Sequence, residues 1–198
     1  SGYNSTATVP EGKNIVFVLP DSTEIEGERN VLPPKAADRK WVGTTDSNWN
    51  VATNWEPEGV PGANDSVEID STDKEIAITV PNGGVTVGGI TFKGGNAIAL
   101  TGDAINVGVV VKADAGSAEF VGGTIATSIQ VVGGTLAISG DYTLPATIAT
   151  ESGATLVLDV ASAKTITSVI SGAGAFKKTG AGSLVLAASN EFERTVSL

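Results

Sequence analysis

Residues 172–192 read GAGAFKKTGAGSLVLAASNEF. A short strand-like run at 175–178 leads into a Thr-Gly-Ala-Gly turn, and an alternating apolar run follows at 183–187. Alternation with period two marks a half-buried strand, and the glycines supply the backbone freedom that a tight turn demands. The stretch predicts one rung of a stacked β architecture. The same texture extends back to about Glu75, with strand-like runs at 76–80, 85–87, 90–92, 97–101, 105–111, 155–160 and 165–170, separated by GG, KGGN and TGD turns. VGGTIATS at 121–128 and VGGTLAIS at 132–139 repeat at a spacing of 11, so two such units make one coil of about 20–25 residues.

The stretch resembles the passenger-associated, or autotransporter-associated, β-strand repeat of large bacterial surface proteins. That pattern runs Gly-x-Gly-x-hydrophobic-x-Lys-Thr-Gly-x-Gly-x-Leu-x-Leu, then small residues, Asn and an aromatic. Gly172, Gly174, Phe176, Lys178, Thr179, Gly180, Gly182, Leu184, Leu186, Asn190 and Phe192 fall in register with it, over about a tenth of the chain. The resemblance implies an extracellular, non-enzymatic surface protein of structural or adhesive role, without a cofactor. The expected fold is all-β: a right-handed parallel β-helix, or β-solenoid, with an N-terminal strand or arm and a Trp-rich cap. A β-sandwich is the alternative for an array of short, evenly spaced strands.

Composition narrows the field further. The 198 residues are 41% hydrophobic and 17% charged, with 25 glycines and few aromatics, which suits a folded chain of short strands. A net charge of −10 argues against nucleic acid and anionic membranes. Most of it lies early: residues 1–80 hold 14 acids and 6 bases, residues 81–198 hold 8 and 6. Cys, His and Met are absent. That removes disulfides, Ser–His–Asp and Cys–His catalysis and ordinary zinc sites. No apolar run approaches the roughly 20 residues of a membrane-crossing helix. Without Met, Ser1 is no translational start; a cleaved leader of a secreted chain, or an expression scar, accounts for it.

Three segments are expected. Residues 1–40 hold an apolar strand at 14–19, ended by Pro20, then an acidic linker or arm; its Ile15, Val16, Phe17, Val18 and Leu19 must pair with something, within the chain or in a neighbour. Residues 41–74 contain Trp41, Trp49 and Trp55 among polar turn residues and also resemble segments that open β-helical domains of bacterial surface proteins. As a cap, the tryptophans cover the apolar cross-section of the first coil. As a platform, they would stack on the faces of a glycan. Residues 75–198 form the solenoid.

Asp65, Glu68, Asp70 and Asp73 form a weak Ca²⁺ candidate that lacks the spacing of a known calcium loop; a solvated acidic surface is the simpler reading. Asp103, Glu119, Asp141 and Asp159, roughly a coil apart, raise a remote hydrolase or lyase alternative. Glycoside hydrolysis needs carboxyls about 5–9.5 Å apart, and adjacent rungs sit about 4.8 Å apart. Three of the four lie in or beside turns, and no arginine lies between Arg39 and Arg194 to hold an anionic sugar. GAGAFKKTGAG lacks the residue order and the helix of a P-loop, so Lys177 and Lys178 read as residues flanking a turn. At Glu193-Arg194 the chain departs from the family's turn glycines. Phe192, Val196 and Leu198 are therefore candidates, with the strand at 14–19, for an interface in head-to-tail self-association; continuation within a larger surface protein is the other reading.

Overall fold

The computed structural model describes residues 36–190 and, as backbone, the strands Ile15–Val18, Glu24–Gly27 and Val196–Ser197. The chain divides into two units, Ser1–Ala36 and Ala37–Leu198. In the first, Ile15–Val18 pairs antiparallel with Glu24–Gly27, so the acidic stretch read as a linker supplies a strand of its own. Leu19, Phe192 and Leu198 lie outside the described residues.

The second unit is a β-solenoid of about six turns. Its strands stack in parallel from the second coil onward, with 17 to 23 residues between partners, as in Ile105–Gly122 and Ser66–Gly89. Each full coil has three faces. Ser66–Asp70 lies on the first, Ile76–Val80 on the second, and the third begins at Val85 within the strand Val85–Lys93. The long strands Val85–Lys93, Ile98–Lys112 and Ser117–Val131 run around corners and serve more than one face.

Alternation decides which side chains fill the interior. Val67, Ile90, Val110, Ile129, Ile148 and Ile170 are partners in successive coils of the first face, and all are buried. Ile76, Ile98, Ala118, Leu136, Leu156 and Phe176 do the same on the second face. Burying each large apolar side chain contributes roughly 1.5–3 kcal/mol, and a coil alone could not bury it. Stacking in parallel lets each interior rung pair with the coil before it and the coil after it. Gly172 shows what the corners need: it sits at φ +106, where a Cβ would collide with the carbonyl oxygen of Thr150 in the coil below.

The stack starts earlier than residue 75. Arg39–Trp41 already pairs in parallel with Ser66–Asp70, and residues 66–70 pair with 89–93. The two VGGT segments do not stack on one another. They are two parts of one turn: Val121 pairs with Ser139, and Thr124 bridges to Thr143. The run at 165–170 also divides, into Lys164–Ile166 on the third face and Val169–Ser171 on the first.

The third face carries a seam. Lys164–Ile166 pairs with Leu184–Leu186 as a separate two-stranded sheet. Toward the preceding coil, Lys164 Nζ donates to the Tyr142 carbonyl at 2.6 Å and lies 4.3 Å from the Tyr142 ring centroid. A cleft of about 130 Å³ opens there.

Candidate functional site

The three tryptophans form the cap. Trp49 and Trp55 are buried, their rings meeting edge to face at 4.7 Å, and Trp41 packs edge to face on Trp55 at 5.1 Å. Trp55 Nε1 donates to the Trp49 carbonyl at 2.8 Å. This corrects the glycan platform: two of the three indole faces are enclosed by the core, and only Trp41 is half-exposed. Asn54 organises the loop between them. Fully buried, it donates to Asp46 Oδ1 and the Asn48 carbonyl, and accepts from the Thr45 backbone N–H at 2.9 Å. The Asn48 and Asn54 donors hold the Asp46 carboxyl below its ordinary range. The sequence marks this loop by a repeated Asn-Trp pair, at 48–49 and 54–55.

The acidic residues of the calcium candidate are spread over other tasks. Glu68 bridges Lys40 at 3.2 Å and Lys93 at 2.8 Å across neighbouring rungs. Burial raises its pKa, but the hydrogen bonds and charges of Lys93 and Lys40 prevail and leave it lowered. Asp70 accepts from the Thr72 hydroxyl and backbone N–H, which holds it low. Asp65 accepts from the Gly62 N–H and faces Arg39, and Asp73 is exposed. Among the described residues, no three acidic side chains are placed to hold a metal ion.

The four carboxylates of the hydrolase alternative are not brought together as a set. Asp103 sits at a corner, accepting from the Ala104 and Gly83 N–H groups, which lower its pKa. Asp141 is exposed and reaches Lys164 at 3.6 Å. Glu119 and Asp159 both face outward on the second face, but two rungs separate them. At about 4.8 Å per rung that is roughly 10 Å along the stack alone, at the outer limit for an inverting carboxyl pair and far beyond the about 5–5.5 Å of a retaining one.

These two acids instead border a groove of about 350 Å³ that crosses five coils of the second face. Its floor is made of half-buried Val121, Ala137 and Val157. Thr101, Ser139 and Thr179 add hydroxyls, and Thr179 Oγ1 donates to Asp159 Oδ1 at 3.0 Å. The shallow centre follows from short side chains where neighbouring rungs carry Glu119 and Asp159. Sequence reading missed the groove because its residues lie 18 to 20 positions apart and meet only through the coil register.

Two lysines sit at ladder positions that the sequence reading did not assign. Lys112 occupies an interior position between Phe92 and Val131, fully buried, with Nζ donating to the Asp114 carbonyl at the corner. Burial pushes its pKa down, against the pull of Asp114. Lys178 takes the position that Leu158 fills one coil earlier and donates to the Gly180 carbonyl at 2.7 Å. It braces the turn from inside. Asn190 completes the opening stretch: its Oδ1 accepts from the Ile170 N–H at 2.7 Å, doing the work of a strand carbonyl. Val196 pairs with Phe176 and Ser197 with Lys177, which places a further rung on the second face beyond Glu193-Arg194.

The fold and these sites define a parallel β-solenoid with an aromatic cap and a grooved second face. No family model, curated protein or solved structure matches the chain. No helix among the described residues is long and apolar enough to cross a membrane.

Proposed function

We propose that this chain is a non-enzymatic structural β-solenoid of the bacterial cell surface, secreted and self-associating by stacking coil on coil. The observation that carries the reading is the parallel register itself. Each rung of the first and second faces offers the edge that another rung needs, and the ladders through Val67 on the first face and Ile76 on the second carry an apolar residue in every coil. The dispersal of the carboxylates into hydrogen bonds and ion pairs supports a structural role, as does the resemblance of residues 172–192 to a surface-protein repeat. Strand addition by the apolar Ile15–Val18 strand is the proposed route of association; Glu24–Gly27 occupies one of its edges.

Protease treatment of intact producing cells should release the chain, and electron microscopy of concentrated protein should show fibres that vanish on deletion of residues 1–20. A chain protected until lysis overturns the surface assignment, and a monomer at high concentration overturns self-association. Fibres that survive the deletion exclude the strand-addition route alone.

A further inference from the structure

The groove on the second face has a length, a charge and a chemistry that together select a ligand. It spans the rungs from Thr101 to Thr179, five coils or about 19 Å at the spacing of stacked strands. Its volume of about 350 Å³ lies in the range of small-molecule sites, about 300–1,000 Å³. A trough of these proportions accepts a linear ligand lying along the solenoid axis.

The lining decides what kind. Glu119 and Asp159 place two carboxylates on the trough, and no lysine or arginine lines it. Glu119 is exposed and Asp159 keeps its second oxygen beyond the bond from Thr179. Thr101 and Ser139 present hydroxyls; Ser139 Oγ donates to the Phe120 carbonyl at 3.5 Å and keeps its lone pairs for a ligand donor. Val121, Ala137 and Val157 form a low apolar floor. Protonated amines answer the carboxylates, hydroxyls answer hydroxyls, and the apolar face of a pyranose ring answers the floor. We propose that the groove binds a linear oligosaccharide of amino sugars carrying free, protonated amines.

A cationic peptide satisfies the charges but not the rest. Peptide recognition by a sheet draws on unpaired strand edges, and here the strands that floor the groove are paired on both sides by neighbouring coils. The peptide backbone would leave its own donors and acceptors to a few side-chain hydroxyls.

The test uses the purified full chain and so stands apart from where the protein resides. Isothermal titration with a glucosamine tetramer should show saturable binding at pH 6 that weakens with salt. The fully N-acetylated tetramer, which lacks the charge, should bind at least tenfold more weakly. Glu119→Gln combined with Asp159→Asn should lose at least tenfold in affinity with an unchanged melting temperature, since Asn keeps the acceptor for Thr179. No saturable binding, equal affinity for the acetylated tetramer, or an unaffected double variant overturns the proposal. Tetralysine binding as tightly as the glucosamine tetramer also overturns it, in favour of a cationic peptide.

Discussion

A lysine in the middle of an apolar ladder is a costly choice, and Lys112 shows how the chain accommodates it. The four-carbon stem fills the place of an aliphatic residue between Phe92 and Val131, and its ammonium reaches a corner carbonyl. The folded pKa lies below the ordinary 10.5. A group with that sign weighs against folding while it is charged, and the penalty fades as pH rises through the folded pKa toward 10.5. Lys112→Met, similar in volume and free of charge, should therefore raise stability at pH 7 by about 1 kcal/mol. The gain should shrink toward pH 10. Thermal melts at the two pH values check this, and a destabilised variant at pH 7 would show that the corner bond outweighs the burial of charge. Tyr142, whose pKa is pushed up to about 12 by burial and by Asp159, stays neutral throughout that range.

At the scale of strands, charge is organised across rungs rather than along them. Lys40, Glu68 and Lys93 form a three-rung ladder on the first face. Glu68 has a folded pKa below its usual 4.5, so its contribution is complete above that value and is lost as pH falls through the folded pKa. Glu68→Gln should cost roughly 0.5–1 kcal/mol at pH 7 and almost nothing near pH 3, as read from denaturant titrations. An equal loss at both values would assign the effect to packing. The strands themselves were legible. Ile76–Val80 was readable residue for residue, because Ile76, Ile78 and Val80 are buried and Ala77 and Thr79 are exposed, the alternation that period two requires. What escaped was the corner. Val85–Lys93 reads as two strands because Gly88 and Gly89 interrupt the apolar pattern, yet the backbone stays extended through them. Lys112 and Lys178 escaped for a related reason: polarity alone assigns them to the surface, and only register puts them inside. The groove, assembled from five coils, has no local signature at all.

The solenoid as a whole is a one-dimensional stack, so damage at one end stays near that end. Trp49→Ala removes one of the two fully buried indoles of the cap and should cost roughly 3–5 kcal/mol locally. Hydrogen exchange should accelerate first in Ser66–Asp70 and Ile76–Val80, while Thr135–Ser139 and Thr155–Asp159 keep their protection. Uniform loss of protection would mean that the coils unfold as a single cooperative block. The seam on the third face adds a mechanical property. The first and second faces are laced by continuous strand pairing through the coils on either side of it, whereas the third is joined there by side chains: Lys164 to the Tyr142 carbonyl, the Tyr142 hydroxyl to the Asp159 carbonyl and the Ser168 hydroxyl to the Pro145 carbonyl, around a cleft. A stack paired on two sides and held by side chains on the third should bend most readily across that seam.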